Sequence, residues 1–176
     1  VTLNGTTTGH TYEVYQIFSG DLSNSTLSNI KWGKGVSAAG QTALGDAVAK
    51  AESLDGKATD ATEAQQFAKD VALYLQTPSA TVVSTETTTI ISGLSAGYYL
   101  IKDKEGTQNG TNDAYTRFIL EVVKNTQAEL KSDVPKIEKK VQSGDDYRDA
   151  ASYAIGESIP YQLTATLPSN YESYKE

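Results

Sequence analysis

The stretch Lys131-Ser-Asp-Val-Pro-Lys-Ile-Glu-Lys-Lys-Val141 decides how this chain is organised. It is typical of a short linker that leads directly into a β-strand. At the strand period of two, Ile137, Lys139 and Val141 share one face. Burying a lysine on such a face is costly unless its charge is paired or removed. Two interpretations remain open: an edge-strand lysine that reaches water, or a lysine whose amine forms an amide bond with an asparagine of the same domain.

The amino-acid composition excludes several classes of function for this chain. The 176 residues are enough for one domain and part of a second. The absence of cysteine excludes a disulfide framework, thiolate catalysis and a zinc–thiolate site. A net charge of −7 argues against nucleic acid as a partner, because phosphate binding needs clustered Lys and Arg. No apolar run reaches the length of a membrane span, so we expect no membrane insertion.

Residues 1–130 carry the pattern of a complete first domain. The segment Tyr12–Phe18 alternates as a strand with both faces partly covered, and strict alternation puts Phe18 on the face of Tyr12 and Val14. Further strands are predicted at Val1–Leu3, Thr81–Val83, Thr87–Ile91, Tyr98–Lys102 and Tyr115–Val123, the last with Phe118, Leu120 and Val122 on one face. Strands on both sides of a helical pair predict a mainly β fold of the α+β kind, a β-sandwich with a helical insertion.

Two helices are predicted between these strands. The first covers about Thr42–Leu54, with one apolar stripe. The second begins at the cap signature Asp60-Ala-Thr-Glu63 and ends before Thr77-Pro78. The predicted buried positions are Leu44, Val48, Ala51 and Leu54 in the first helix and Ala64, Phe67, Ala68, Val71 and Leu75 in the second.

A second sandwich is expected to start after the linker. A polar loop over Gln142–Asp149 precedes Ile159–Leu167, which alternates without a break. Two strands cannot bury a core alone, so we expect the intact protein to be longer than this chain.

The remaining candidate residues favour structural roles. His10 is the sole histidine and is interpreted as a turn residue, and Trp32 as a core or loop-packing residue. The polar stretch Asp103–Asp113 is interpreted as a hairpin loop without EF-hand spacing. No Ser-His-Asp set, phosphate loop or supported pair of catalytic carboxylates is present, so we expect no cofactor, no metal and no enzymatic turnover.

Several segments, in their order along the chain, resemble one family. They are Thr11–Asp21 (TYEVYQIFSGD), Leu27–Gly33 (LSNIKWG), Gly93–Leu100 (GLSAGYYL), Asp133–Val141 (DVPKIEKKV) and Ile155–Pro168 (IGESIPYQLTATLP). The chain resembles the N-terminal part of a major (backbone) pilin of Gram-positive, sortase-assembled pili, built from Cna B-type immunoglobulin-like domains. The resemblance implies a first pilin domain over 1–130, a linker with a candidate pilin motif over 131–138, and the incomplete start of a second Cna B-type domain over 139–176.

The resemblance implies two separate roles for lysines. Lys136 would link subunits, with Lys131 in reserve; Val134-Pro-Lys136 matches the family's Pro-Lys but has no tyrosine before the proline, and Ile137 replaces the usual asparagine. Lys139 would form the internal isopeptide bond of the second domain, with its acid and its asparagine beyond Glu176. The first domain should lack such a bond, since its opening strands contain no lysine and the segment like the family's E-box strand has no glutamate.

The implied function is structural: a shaft subunit of a covalently polymerised pilus, and a substrate of a pilin-class sortase rather than an enzyme. Other copies of the pilin, the sortase and ancillary pilins would be partners, on an extracellular pilus anchored to the cell wall. The alternative is an ancillary pilin or surface adhesin that binds a host ligand, for which eleven tyrosines offer contact surface.

Overall fold

The chain forms two units in a computed structural model that describes residues 1–108, 116–130, 136–154 and 156–167. The first unit covers Val1–Ser132 and the second Asp133–Glu176. Unit 1 contains, in chain order, β1 (Thr2–Asn4), β2 (Thr11–Ser23), β3 (Thr26–Trp32), α1 (Ala38–Leu44), α2 (Ala47–Leu54), α3 (Thr62–Ala72), β4 (Ala80–Val83), β5 (Thr88–Ile90), β6 (Gly97–Asp103), β7 (Arg117–Val122) and β8 (Gln127–Glu129). Unit 2 contains β9 (Lys136–Ser143), β10 (Asp146–Arg148) and β11 (Tyr161–Thr166).

Unit 1 is built on two sheets. The larger has the strand order β3-β2-β6-β7, with β4 also paired to β2, and every pairing in it is antiparallel. The smaller has the order β5-β1-β8, in which β1 is antiparallel to β5 and parallel to β8. The predicted mainly β fold with a helical insertion is therefore confirmed. The immunoglobulin-like, Cna B-type assignment stays a prediction.

An apolar core fills the space between the two sheets. Leu3 from β1 lies against Tyr12 and Val14 from β2 and against Tyr99 and Ile101 from β6, and all are buried. Phe118, Leu120 and Val122 of β7 contribute to this core, which confirms their predicted common face. This packing forms the sandwich.

The helical insertion covers the other face of the larger sheet. Phe67 and Val71 of α3 pack with Phe18, Leu100 and Ile119 in a second core. A bridge between Val36 and Leu75 joins the two ends of the insertion. The larger sheet is thus covered on both faces, by strands on one side and by helices on the other.

A β-bulge at Ile17 corrects the predicted faces of β2. Gln16 pairs with Tyr99 and Phe18 with Tyr98, so Ile17 is one extra residue in the strand. The extra residue reverses the alternation, and Phe18 points to the helices rather than to the face of Tyr12.

The chain after β3 forms hydrogen bonds with the backbone of the bulge. Gly33 and Gly35 donate backbone N–H groups to the carbonyl oxygens of Ile17 and Gln16, at 2.7 and 2.8 Å. A Cβ atom on Gly33 would lie 2.4 Å from the Gln16 oxygen, so this close crossing of the backbone requires glycine.

The first predicted helix is two helices. The first helix ends before Gly45. Asp46 then caps α2 by accepting a hydrogen bond from the Ala49 N–H at 2.9 Å. The new start changes the buried stripe to Ala47, Ala51 and Leu54, whereas the predicted Val48 is exposed. The predicted stripe was wrong at Val48 because the helix was taken to start too early.

The second predicted helix is confirmed as α3, but its N-cap is Ala61, which forms no side-chain cap hydrogen bond, so the predicted cap signature starting at Asp60 was wrong. Its buried residues are Ala64, Phe67, Ala68 and Val71, as the spacing predicted. The helix ends at Ala72, so Leu75 lies beyond it, in the bridge to Val36.

Three strands were not predicted: β3, β8 and β10. β3 is irregular at Asn29, which has a positive φ of 50°, and the accompanying register shift breaks the alternation that would have identified the strand. β10 lies within the predicted polar loop, as the short return strand of a hairpin with β9. Among the described residues, no helix is both long and apolar enough to cross a membrane.

Replacing Phe18 tests the role of the bulge. The Phe18 ring lies 4.9 Å from the Trp32 ring and 5.7 Å from the rings of Phe67 and Tyr98, measured between centroids. We expect Phe18→Ala to lower the free energy of unfolding by about 3–5 kcal/mol, as for other buried aromatic truncations. Urea unfolding measures the change. Leu73→Ala, at a side chain that is 80% exposed, is the control and should change it little. Equal effects of the two variants would contradict the assigned core.

Candidate functional site

The lysine-bearing strand β9 is the centre of unit 2. It pairs antiparallel with β10 on one edge and with β11 on the other. Lys139 lies opposite Leu163, Val141 opposite Tyr161 and Ile137 opposite Ala165, so these positions share one face of the sheet. We call this set of six residues the β9–β11 face.

The β9–β11 face is apolar and mostly uncovered. Ile137 is 73% exposed, Leu163 66% and Tyr161 51%, whereas Val141 is buried. Exposed apolar side chains of this size on a single sheet face normally pack against another layer. The predicted common face of Ile137, Lys139 and Val141 agrees with the strand register.

Lys139 is exposed and contacts an aromatic ring. Its Nζ atom lies 4.0 Å from the centroid of the Tyr161 ring, a cation–π geometry. The lysine is therefore stacked on Tyr161, on a face that the described residues leave mostly uncovered. The described part of unit 2 contains no asparagine, so Lys139 has no amide partner within it.

The two other candidate lysines lie at the edge of what the structure describes. Lys136 is the first residue of β9 and pairs with Thr166, and its side chain is outside the described part. Lys131 lies outside the described residues. Because β9 begins at Lys136, its first residues fall within the predicted linker over 131–138.

The larger sheet of unit 1 holds a lysine that the sequence did not single out. Lys102 in β6 lies opposite Glu13 in β2, with Nζ 3.3 Å from Glu13 Oε2 and both side chains 16% exposed. The hydroxyl of Tyr15 donates to the same oxygen at 2.9 Å. Opposite charges within two predicted strands were the available signal. This lysine is held as an ion pair.

His10 has a buried carboxylate partner. It was predicted as a turn residue; it directly follows the turn at Thr8–Gly9 and is only 2% exposed, and this burial was not predicted. Its Nδ1 lies 2.9 Å from Oδ1 of Asp103, at the end of β6. The other carboxylate oxygen of Asp103 accepts a hydrogen bond from the Thr116 N–H at 2.7 Å. The pair connects two parts of the chain that are 93 residues apart in sequence.

Burial raises the pKa of Asp103 above its ordinary value of 3.8, although the hydrogen bonds from Thr116 and His10 act in the opposite direction. The stretch predicted as a hairpin loop begins at Asp103, which is buried. Residues 109–113 of that stretch lie outside the described part. Among the described residues, no cluster of His, Cys, Asp or Glu could hold a metal ion.

Trp32 has the packing role that was predicted. Its ring lies against Phe18, and its Nε1–H donates to the carbonyl oxygen of Gly45 at 3.0 Å. The indole thus holds the junction between α1 and α2 against the larger sheet.

Comparison with known proteins finds a distant structural likeness to a pilin. No protein family matches the sequence. No curated protein matches it significantly. The T6 backbone pilin of serotype M6 Streptococcus pyogenes, described as a modular three-domain structure with variable loops and extensions, is similar over 96% of this chain with 19% sequence identity and a TM-score of 0.49. This chain covers 35% of that pilin, about a third of its length. A likeness this distant leaves the function to be inferred from the residues of the chain itself.

Substitution of Asp103 tests the buried pair. Asp103→Ala should lower the free energy of unfolding by about 1–3 kcal/mol, because His10 and the Thr116 N–H each lose an acceptor. Asp103→Asn keeps an acceptor of the same shape and removes the charge, so it should cost less. Urea unfolding of the three proteins measures the difference.

The contribution of Asp103 to the stability of the fold should depend on pH in one direction. A carboxyl group with a raised pKa in the folded state stabilises the fold fully below its ordinary value of 3.8, and this contribution is lost as the pH rises through the raised pKa. As the pH rises from 3.8 through the raised pKa of Asp103, the free energy of unfolding of Asp103→Asn should therefore increase relative to that of the wild type. The opposite trend would contradict the assigned shift.

Proposed function

We propose that this chain is part of a structural subunit of a cell-surface pilus, polymerised covalently through a lysine by a pilin-class sortase. The observation that carries the proposal is β9, a lysine-bearing strand directly after the boundary between two β units. Its position agrees with the ordered family resemblance in the sequence. The subunit would act as a building block and sortase substrate on an extracellular, wall-anchored fibre, with ancillary pilins as further partners.

Lys136 is the proposed linking residue, with Lys131 in reserve. The lysine amine would attack the thioester that joins the preceding subunit to the sortase cysteine, forming an amide and releasing the cysteine thiol. Backbone pairing of Lys136 with Thr166 supports this choice, because a nucleophile on an ordered strand is presented in a defined position. In the sequence, Pro135 directly precedes Lys136, and a proline restricts the backbone at its own position.

Lys139 is proposed to serve a different, internal crosslink. When downstream strands cover the β9–β11 face, the ammonium of Lys139 would lose water, and burial favours the neutral, nucleophilic amine. The amine nitrogen would attack the side-chain carbonyl carbon of an asparagine, and ammonia would leave as the amide forms. The exposed apolar neighbours Ile137 and Leu163 support a covering layer there. The first unit is proposed to lack such a bond.

Replacement of Lys136 tests the link between subunits. In cells that express the full-length protein and its sortase, Lys136→Arg should abolish the high-mass polymer ladder, because guanidinium stays protonated and is a poor nucleophile. Gel electrophoresis of cell-wall extracts measures the ladder, and Lys124→Arg, at an exposed position of unit 1, is the matched control. A normal ladder in Lys136→Arg would move the role to Lys131 or another lysine.

Replacement of Lys139 tests the internal bond. In the full-length protein, each such bond lowers the intact mass by one ammonia, about 17 Da. Lys139→Ala should restore the mass of one bond and lower the melting temperature, since a crosslink restricts the unfolded chain. Lys140→Ala is the control and should leave both unchanged. Loss of the deficit in Lys140→Ala alone would shift the assignment by one residue, and the absence of any deficit would refute it.

A further inference from the structure

A groove with an acidic rim lies between β3 and α2 of unit 1. It has a volume of about 870 Å³. Its carboxylates come from three elements and the turn after α2: Asp21, Glu52, Asp55 and Glu121. Leu27, Val48 and Tyr98 supply apolar lining surface. We call this surface the acidic groove.

Two carboxylates of the acidic groove, those of Asp55 and Glu121, repel each other. The pKa of Glu121 is raised, first by burial and then by the charge of Asp55. Burial together with the charges of Glu121 and Asp55 raises the pKa of Tyr98 to about 12. Lys31 is the only basic residue among the described residues that line the groove. An incoming lysine would relieve this repulsion with its charge, and its aliphatic stem would cover the apolar surface.

Main-chain pairing with β3 is a poor way to occupy this groove. β3 forms the edge of the larger sheet, but Asn29 has φ 50° and the register shifts beside it. An irregular edge of this kind disfavours the addition of another strand. An occupant would therefore be held through its side chains.

The same chain carries a segment with the complementary charge. The five residues Lys136–Lys140 contain three lysines and one glutamate, and no other five-residue window of the sequence holds three lysines. Lys139 is exposed and Lys140 is half-buried. Lys140 lies outside the β9–β11 face, so a covering layer on that face leaves it available.

We propose that the acidic groove of one copy binds the lysine-rich start of β9 in a second copy, with Lys140 between Asp55 and Glu52. Charge complementarity selects this occupant, because a chain of net charge −7 otherwise repels its own copies. The contact is reversible and lateral. It is separate from the covalent joint proposed at Lys136.

Zero-length crosslinking of mixed isotopes tests the contact. Equal amounts of ¹⁵N-labelled and unlabelled chain are treated at low ionic strength with a carbodiimide, which joins a lysine amine to a touching carboxylate. Mass spectrometry should find Lys140 joined to Glu52 or Asp55 in peptides that combine both isotopes. Raising the salt should weaken these products, because exposed charges are screened. Products within single chains only would show that the two units of one chain dock instead, which overturns the proposal, as would the absence of crosslinks to the groove.

A charge exchange separates a specific contact from general attraction. The double variant Glu52→Lys, Asp55→Lys and the single variant Lys140→Glu should each abolish the products between Lys140 and Glu52 or Asp55, because each removes one of the two reacting groups and places like charges opposite each other. Combining the three changes should restore crosslinks in the reverse sense, from the amines introduced into the groove to the carboxylate introduced into β9. Glu86→Lys, an exposed site away from the groove, is the control. Equal loss in Glu86→Lys, or no recovery in the combined variant, would refute the proposal.

The covalent proposal is tested independently. Lys140→Glu leaves Lys136 in place, so the sortase ladder should persist in it even when the lateral contact is lost. Loss of the ladder only in Lys136→Arg, and loss of the mixed-isotope crosslinks only in Lys140→Glu, would support both proposals. A failure of either one would leave the other standing.

Discussion

The fold of unit 1 depends on the burial of β2 on both faces. This strand pairs with β3, β4 and β6, and it supplies side chains to two separate cores. The extra residue at Ile17 lets Tyr12 and Val14 face the smaller sheet while Ile17 and Phe18 both face the helices. A regular strand would give the helical insertion fewer large side chains to pack on. The insertion and the second sheet are therefore organised by one strand and one irregularity in it.

Much of this architecture follows from local pattern, and the exceptions have specific physical causes. Alternation correctly placed the face of Phe118, and helical spacing correctly placed Phe67 and Val71. The side of Phe18 was missed because a bulge leaves no periodic signal, and its glycine contacts come from a later part of the chain. The break at Gly45 could have been found, since a glycine followed by an aspartate is a recognisable end and restart of helices.

The candidate site is less accessible to sequence reasoning than the fold. The strand period put Lys139 on the face of Ile137, and the register of β9 with β11 agrees. The pairing of His10 with Asp103, and of Lys102 with Glu13, joins residues that are close only after folding. Charge composition likewise does not show which carboxylates lie close together. The acidic groove forms only when β2, β3, α2 and β7 are brought together by folding.

The parallel pairing of β1 with β8 has a mechanical consequence. Thr2, Leu3 and Asn4 lie beside Gln127, Ala128 and Glu129, so the first and last strands of unit 1 are hydrogen-bonded neighbours that run in the same direction. Traction that draws the two ends of the unit apart slides these strands past each other along their length. The bonds between them then share the load and must break together, whereas strands peeled from one end would release theirs one at a time. The parallel pairing of β1 with β8 therefore makes unit 1 resist a pull on its two ends by shear.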